Sequence, residues 1–140
     1  MAAQSTDDEK SDSGRMRVLV VDDNRAGADA LARLLASWGY DVRVVYNGLE
    51  VLQAAESYHP DVALLDLGLP GMDGYQLALH LRRQPALSNM ALIAITGHEW
   101  KNADRRSREY GFDEHFIKPI DTDHLRALLG ALKTRERVPD

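Results

Sequence analysis

Apolar and polar positions alternate along this chain in a pattern that predicts five strands and five helices. Between the strands, apolar residues return at the spacing of one helix face, most clearly at Ala28, Leu31, Ala32 and Leu35. Strands that alternate with helices indicate an α/β fold with a parallel sheet and helices on both of its faces. The short, mainly apolar runs that predict the strands lie at 18–21, 42–45, 62–65, 91–95 and 115–117.

Glycine, proline and aspartate residues mark the ends of the predicted helices. Gly39 and Gly111 end the first and fourth helices, and Pro60 blocks any continuation of the second. Asp73 and Asp121 precede apolar helical patterns and can cap them through their carboxylates. The fourth helix, from 101 to 110, has a poor apolar stripe and is the weakest of the five.

The polarity of each strand indicates its place in the sheet. The runs 18–21, 62–65 and 91–95 are uniformly apolar, as strands buried on both faces are, and therefore belong in the middle. The second strand carries Arg43, and the fifth is short and flanked by Glu114, which suits the two edges. The order 2-1-3-4-5 satisfies both conditions and predicts a doubly wound (βα)5 sandwich.

Length and composition indicate a single folded domain. The chain has 140 residues, of which 44% are hydrophobic and 28% charged, close to the average for globular proteins. Residues 1–15 are predicted to form a disordered acidic tail, 16–134 the folded domain and 135–140 a short charged tail. Cysteine is absent from the sequence, which excludes disulfides and thiolate metal ligands.

Charge and hydropathy bear on the partners of the chain. The formal net charge is -5, whereas nucleic-acid binders usually present a basic face, so direct binding to nucleic acid is not expected. The basic cluster at 101–108 is either a solvated helix face or a surface for a partner. No apolar run approaches the roughly 20 residues that span a bilayer, and the N-terminus lacks the apolar core of a signal peptide. We therefore expect a cytoplasmic protein that does not bind membranes.

Polar and charged residues follow four of the predicted strands at their carboxyl ends. Asp22 and Asp23 follow the first strand, Asp66 the third, Thr96 the fourth and Lys118 the fifth. In an open parallel sheet these ends lie along one edge, and ligands bind there near the point where the strand order reverses. The five residues are therefore expected to form one site.

Three carboxylates in one site repel one another unless a cation lies among them. Magnesium suits such oxygen ligands, because it commonly binds through one or two carboxylates and a substrate phosphate. Lys118 can place a positive charge beside one phosphoryl oxygen, and the Thr96 hydroxyl can donate to another. The set fits transfer of a phosphoryl group to the Asp66 carboxylate. Taken alone, an Asp-Asp pair, a strand threonine or a Lys-Pro pair is an ordinary structural feature.

The motifs around these residues are similar to those of response-regulator receiver domains. The resemblance extends from about Arg17 to Lys133 and is to receivers of the kind found alone or fused to hybrid sensor kinases. It implies a flavodoxin-like (βα)5 fold and a part in two-component or phosphorelay signalling. The motifs are Val-Asp-Asp at 21–23, Leu-Leu-Asp at 64–66, Leu-Pro-Gly-Met-Asp-Gly at 69–74, Ala-Ile-Thr-Gly at 94–97 and Lys-Pro at 118–119.

The resemblance assigns roles to the residues of the predicted site. Asp66 corresponds to the phosphoacceptor, and Thr96 and Lys118 should contact the phosphoryl group. Asp66 and Asp23 should bind Mg2+ directly and Asp22 mainly through water. Mn2+ should be able to replace Mg2+ at such a site.

Further positions carry expectations from the same resemblance. The backbone carbonyl of Gly68 corresponds to a third metal ligand, and the Lys118–Pro119 peptide bond should be cis. His115 stands where receivers usually carry tyrosine or phenylalanine, whose ring swings inward as Thr96 moves toward the phosphate. Histidine can take this switch role, or it can be an exposed strand residue. Gly68 offers no side chain to steer an attacking water, whereas His98 does.

Partners and mode of action also follow from the resemblance. The phosphoryl donor would be a phosphohistidine on a sensor histidine kinase or a histidine phosphotransfer protein. A conformational change on the face at 101–132 would then alter the binding of a downstream protein partner. The receiver would catalyse the transfer and slowly hydrolyse its own phosphate, without turning over an external substrate as an enzyme does.

Three other functions are weighed against this one. A pseudo-receiver would bind partners without phosphorylation. A phosphatase of the haloacid-dehalogenase type would need a second aspartate two residues after the nucleophile, where this chain has Gly68. A flavin- or nucleotide-binding module of the same architecture would need a G-x-G-x-x-G turn or a P-loop, and the sequence contains neither.

Overall fold

The computed structural model describes residues 14–71, 73–97 and 103–137 of the chain. Most of the predicted acidic tail, His98 and the first residues of the predicted fourth helix lie outside these ranges. Among the described helices, none combines the length and the apolar character needed to cross a bilayer.

Five strands and five helices alternate along the chain, as the apolar pattern predicts. Helix α5 continues to Arg137, into the segment 135–140 that the sequence predicts as a charged tail. Two 3-10 helices, Gly48–Glu50 and Pro85–Leu87, were not predicted. The strands are β1 (Arg17–Val21), β2 (Asp41–Val45), β3 (Val62–Asp66), β4 (Ala91–Thr96) and β5 (Glu114–Ile117). The helices are α1 (Arg25–Ser37), α2 (Val51–Tyr58), α3 (Gly74–Arg83), α4 (Ala103–Glu109) and α5 (Thr122–Arg137).

The strands form one parallel sheet in the order β2-β1-β3-β4-β5, which confirms the predicted order. β1, β3 and β4 are buried along their whole length and occupy the middle. Exposed Arg43 lies on edge strand β2, and exposed Glu114 lies on edge strand β5. The carboxyl ends of all five strands lie along one side of the sheet, called here the carboxyl edge, and their amino ends along the opposite, amino edge.

Alternate side chains of each strand pack on opposite faces of the sheet, as the two-residue period of a strand requires. Leu19 and Leu92 lie in one core cluster together with buried residues of α2 and α3. Val20 and Ile93 lie in the other, together with buried residues of α1 and α5. Each large apolar side chain buried in this way contributes about 1.5–3 kcal/mol. The two clusters hold the sheet between two helical layers and so fix the relative positions of the strand ends.

The helix ends use the predicted residues. The Asp73 carboxylate accepts hydrogen bonds from the first backbone N–H groups of α3, and Asp121 does the same for α5. Gly39 and Gly111 have φ angles of 98° and 96°, in the left-handed region that glycine adopts without strain. Asn24 caps α1 through its side-chain oxygen, although the sequence pattern had not singled it out. A cap of this kind contributes about 1 kcal/mol.

Arg82, in the last turn of α3, ties the loop between α4 and β5 to the rest of the fold. Its guanidinium donates to the Gly111 carbonyl over 2.7 and 3.1 Å and pairs with the Asp113 carboxylate at 3.0 Å. It also donates to the carbonyls of Met90 and Ser88. Because a guanidinium carries five donors in one plane, a single side chain can satisfy several acceptors at once. The C-terminal end of α4 is therefore fixed to α3 and β4.

A second polar network closes the amino edge of the sheet. The Arg17 guanidinium donates to the Tyr58 carbonyl and lies 5.3 Å from the centroid of the Tyr58 ring. The Tyr58 hydroxyl donates to the Asp41 carboxylate, and the backbone N–H of Arg17 donates to Asp61 over 2.8 Å. Arg43 also lies over the Tyr58 ring, 4.4 Å from its centroid. These contacts join β1 and β2 to the end of α2.

Candidate functional site

The strand ends bring the predicted site residues together at the carboxyl edge. Asp22 and Asp23 directly follow β1, Asp66 ends β3, Thr96 ends β4 and Lys118 directly follows β5. Asp66 and Thr96 are buried, with 7% and 1% of their surface exposed, whereas Asp23 is exposed. The site is thus a shallow depression with a buried carboxylate and hydroxyl at its base.

Three aspartates form an acidic cluster in this depression. One carboxylate oxygen from each of Asp22, Asp23 and Asp66 lies within 4.8 Å of the others. Burial raises the pKa of Asp22, and the negative charge of Asp66 raises it further, against the lowering effect of the Asn24 backbone N–H, which donates to Asp22 over 3.0 Å. Such repulsion is relieved by a cation, and an all-oxygen donor set is what magnesium prefers. The residues present therefore fit a divalent metal site of the predicted kind.

Lys118 makes the direct ion pairs of the site. Its Nζ lies 2.9 Å from Asp66 Oδ2 and 3.3 Å from Asp22 Oδ2. Burial by itself would lower the pKa of Lys118, but the hydrogen bond to Asp66 and the charges of Asp66 and Asp22 outweigh it, so the pKa is raised. The ammonium stays protonated at neutral pH and provides a fixed positive charge next to the buried carboxylate.

Backbone groups hold this arrangement in place. The N–H of Gly68 donates to Asp66 Oδ1 over 2.8 Å, so both oxygens of Asp66 have partners. The N–H of Lys118 donates to the Thr96 carbonyl over 2.7 Å, and the Lys118–Pro119 peptide bond is cis. Gly68 is exposed two residues after Asp66, and its lack of a side chain leaves the Asp66 carboxylate open from that side.

His115 lies inward, and one side of its ring contacts the site. Its Nε2 is 2.6 Å from the Thr96 hydroxyl oxygen, and the residue is half-buried. The alternative of a simply exposed strand residue is therefore wrong. The contact spans 19 positions of the chain and depends on the pairing of β4 with β5, so the sequence could suggest the position but not the hydrogen bond.

A groove beside the site was not foreseen from the sequence. It has a volume of about 580 Å³ and runs between α1 and the loop that follows β5. Leu31, Leu34 and Ile120 line it, and Asp22 and Lys118 form its end at the site. We call it the α1 groove. Its only signal in the sequence is the apolar stripe of α1, which is equally compatible with core packing, and Leu31 does pack against one of the two core clusters.

The fold and the site together define a class: doubly wound α/β domains with an acidic cluster, a threonine and a lysine at the carboxyl edge of the sheet. The chain belongs to the response regulator receiver domain family, whose family model matches residues 18–130. It is therefore a receiver domain of two-component signalling, with the flavodoxin-like fold of that family.

The chain is similar to receivers within a sensor histidine kinase and to receivers within response regulators. It is 33% identical over 136 residues to the sensor histidine kinase RcsC of Escherichia coli (strain K12), a match that covers 97% of this chain and 14% of RcsC. It is 30% identical over 125 residues to the response regulator MprA of Mycobacterium tuberculosis (strain ATCC 25177 / H37Ra), covering 89% of this chain and 54% of MprA. The chain thus spans about a seventh of one relative and about half of the other.

Solved structures agree with this placement. The receiver domain of the Francisella response regulator 1452 matches with a TM-score of 0.79 and 26% identity, over 88% of this chain and 100% of that one. The signal receiver domain of a histidine kinase from Syntrophus aciditrophicus also matches with a TM-score of 0.79, at 29% identity, over 89% of this chain and 95% of that one.

Proposed function

We propose that this receiver is a phosphoacceptor switch that takes a phosphoryl group on Asp66. The proposal rests on one observation above all: a buried carboxylate lies 2.9 Å from the Lys118 ammonium and inside a cluster of two further carboxylates. Family membership supports it, because receivers pair with sensor histidine kinases. Similarity to receivers within a histidine kinase and within a response regulator is compatible with either setting for this chain.

The chemistry assigns one task to each side chain. An oxygen of Asp66 attacks the phosphorus of a phosphohistidine, a P–O bond forms, and the P–N bond breaks with its electron pair going to the departing imidazole. Lys118 and the Thr96 hydroxyl then contact oxygens of the transferred group. Asp22, Asp23 and Asp66, with the Gly68 carbonyl, would hold Mg2+ or Mn2+, which supplies positive charge against the phosphoryl oxygens.

The Asp66 phosphate would persist until it is hydrolysed or passed on. The domain is accordingly a switch and not a turnover enzyme for an external substrate. Its state would be communicated to a downstream protein partner through the α4–β5–α5 face. The hydrogen bond between Thr96 at the site and His115 on β5 supports this route, because it connects the two regions directly.

The α1 groove is suited to contact with the phosphodonor. It is mainly apolar and ends at Asp22 and Lys118, so a helix seated in it could present a phosphohistidine to Asp66. The donor would be a sensor histidine kinase or a histidine phosphotransfer protein. A protein donor would need to dock in the α1 groove, whereas a small-molecule donor would not. A change in the groove should therefore affect phosphorylation by the first kind of donor and not by the second.

The test of the switch is phosphorylation of the 140-residue chain by acetyl phosphate, read by intact mass. Wild type should gain one phosphoryl group with Mg2+ and none with a chelator, and Asp66→Asn should gain none. Asp123→Asn, which removes an exposed carboxylate on α5, should behave as wild type. Wild type that stays unmodified with Mg2+ would refute the proposal and favour a pseudo-receiver.

The test of the groove compares two donors. Leu31→Asp places a charge in the apolar groove and should slow transfer from a phosphorylated histidine phosphotransfer protein at least about tenfold, while phosphorylation by acetyl phosphate stays unchanged. Leu49→Asp is the matched control, because Leu49 is 87% exposed and does not line the groove. Equal slowing by both variants, or slowing with both donors, would exclude this docking site.

A further inference from the structure

Two of the three aspartates of the acidic cluster lie in the short link between β1 and α1. Asp22 and Asp23 are its first two residues, and Asn24 ends it by capping α1. The first end of the link is fixed to β2, because the Asp22 N–H donates to the Val45 carbonyl over 3.1 Å. The position of Asp23, which is exposed, therefore depends on how firmly the first turn of α1 is held at the other end.

Tyr46, which directly follows β2, contacts that first turn of α1. Arg25, the first residue of α1, lies over the Tyr46 ring with its Cζ 4.0 Å from the ring centroid. The Tyr46 hydroxyl donates to an oxygen of the Asp29 carboxylate over 2.5 Å. Because Arg25 and Asp29 are four residues apart, they lie on the same face of the helix. A single side chain at the end of β2 thus contacts two successive turns of α1.

We propose that Tyr46 is a positioning residue for the metal ligands Asp22 and Asp23 and acts through its hydrogen bond to Asp29. The inference rests on the proposed function, because it concerns the Mg2+ that the acidic cluster would hold, and it adds a residue outside that cluster. With the two ends of the link anchored to the adjacent residues Val45 and Tyr46, the carboxylates are held in place before the ion arrives. Loss of the hydrogen bond leaves the link freer, so more conformational entropy is lost when the ion orders it.

The amino edge of the sheet contains a contact of the same kind, on the opposite side from the acidic cluster. The Tyr58 hydroxyl donates to the Asp41 carboxylate, and Arg43 lies over the Tyr58 ring, 4.4 Å from its centroid. In both contacts the tyrosine and the aspartate are 17 residues apart. Removal of the Tyr58 hydroxyl therefore serves as the matched control, since it takes the same bond from the fold without touching the link that carries the metal ligands.

The test measures the Mg2+ dissociation constant of the folded chain by NMR titration of its backbone amides. Tyr46→Phe keeps the ring under Arg25 but loses the hydrogen bond, and should bind Mg2+ about 3- to 10-fold more weakly than wild type, the range for loss of one hydrogen bond. Tyr58→Phe should bind Mg2+ like wild type. Phosphorylation by acetyl phosphate at saturating Mg2+ should be as fast in Tyr46→Phe as in wild type, because the proposed role ends once the ion is bound.

Two variants of Asp29 test whether the hydrogen bond carries the effect. Asp29→Asn and Asp29→Ala remove the same charge, but only the asparagine keeps an oxygen that can accept from Tyr46. Asp29→Asn should therefore bind Mg2+ more tightly than Asp29→Ala, by the factor expected for Tyr46→Phe. When Asp29→Ala is already present, Tyr46→Phe should weaken Mg2+ binding no further, because the bond between the two side chains is already lost.

A second readout needs neither Mg2+ nor a phosphoryl group. The N–H of Ala28 donates to the Asn24 carbonyl over 2.9 Å, which is the first hydrogen bond within α1. In the presence of a chelator, hydrogen exchange at the Ala28 amide should be faster in Tyr46→Phe than in wild type. In Tyr58→Phe, exchange at Ala28 should follow only the change in global stability.

Equal Mg2+ affinity of Tyr46→Phe and wild type would overturn the proposal, and so would an equal loss of affinity in Tyr46→Phe and Tyr58→Phe. Slower phosphorylation of Tyr46→Phe at saturating Mg2+ would also contradict a role limited to positioning. Exchange at Ala28 that does not respond to Tyr46→Phe would overturn the inference even where wild type binds Mg2+ as proposed. If wild type binds no Mg2+, the proposed function fails, and this inference fails with it.

Discussion

The two edges of the sheet bury charged groups in opposite ways. At the amino edge, the 9% exposed Arg17 is surrounded by acceptors, a tyrosine ring and the aspartates Asp41 and Asp61. At the carboxyl edge, the 7% exposed Asp66 lies among two more carboxylates and next to Lys118. Both edges use residues that follow or begin the same strands, so the difference lies in the balance of charge.

Because of this difference in charge balance, the amino edge should contribute to stability, whereas the carboxyl edge should serve ligand binding. Removing a buried cation that donates to a buried carbonyl destabilises the native state, because the carbonyl is left without its partner in the interior. Carboxylates that outnumber the nearby cations weaken the native state until a ligand relieves their repulsion. We therefore expect changes at the amino edge to destabilise the protein and changes at the carboxyl edge to stabilise it while removing its function.

The largest effect is expected for Arg17→Met at the amino edge. The variant loses the donation to the Tyr58 carbonyl and the contact with the Tyr58 ring, and should lower the free energy of unfolding by about 2–3 kcal/mol in urea denaturation. Arg43→Met, which loses only an exposed contact to the same ring, should cost less than about 1 kcal/mol. Phosphorylation of folded Arg17→Met by acetyl phosphate should match that of wild type. A lower extent of phosphorylation in this variant would contradict the expectation that the amino edge affects stability alone.

Magnesium should produce an effect of similar size at the opposite edge. At a concentration of about 100 times its dissociation constant, Mg2+ should raise the free energy of unfolding of wild type by about 2.7 kcal/mol, because it binds the native state and not the unfolded one. Asp23→Asn should lose most of this gain, since it removes one carboxylate of the acidic cluster, whereas Asp123→Asn should keep it. The comparison fails if Mg2+ raises the stability of Asp23→Asn as much as that of wild type.

Alkaline pH should weaken the amino edge selectively. Burial raises the pKa of Tyr58, and its hydrogen bond and proximity to Asp41 raise it further. In the unfolded chain the Tyr58 phenol has a pKa of about 10, so above that pH the unfolded state loses a proton that the native state keeps. The free energy of unfolding therefore falls as the pH rises above about 10. Between pH 8 and 11, the free energy of unfolding of wild type should fall by about 1 kcal/mol more than that of Tyr58→Phe, after allowance for screening of the charges by solvent.

Acidic pH should strengthen the carboxyl edge. Because burial and Asp66 raise the pKa of Asp22, the native state binds a proton more readily than the unfolded state, and stability rises as the pH falls through the window above the ordinary value of 3.8. In the presence of a chelator at pH 7, Asp22→Asn should therefore be more stable than wild type, by less than about 1 kcal/mol because solvent screens these partly exposed charges. The difference should disappear on acidification. A less stable Asp22→Asn at pH 7 would contradict the account.

The apolar pattern predicted the fold because the runs 18–21, 62–65 and 91–95 contain no polar residue. These runs were predicted to occupy the middle of the sheet, where β1, β3 and β4 are found, and the order 2-1-3-4-5 satisfies that condition. The same order brought Asp66 and Lys118 to one edge, although they are 52 residues apart. The proposed site therefore followed from topology, helped by the resemblance to receivers, and not from any local spacing.

Other features depend on contacts that leave no periodic signal. The network around Arg17 joins residues 41 positions apart through one backbone carbonyl, and any arginine near a strand start looks alike in sequence. The hydrogen bond between Thr96 and His115 requires the pairing of β4 with β5 before it can be seen. The 3-10 helix that begins at Pro85 did have a signal, because proline favours the first position of a helix, but three residues are too few for a pattern.

The attachment of Arg82 to the Gly111 carbonyl has a mechanical consequence. It anchors the C-terminal end of α4 to α3, while the N-terminal end of α4 follows the segment that leaves β4 after Thr96. Because this anchor lies just beyond the C-terminal end of α4, we expect the displacement of α4 to grow with distance from Gly111. We expect hydrogen exchange of the α4 amides to become faster from the last turn of the helix toward its first. A small shift at Thr96 would then act on the N-terminal end of α4, which is displaced most easily.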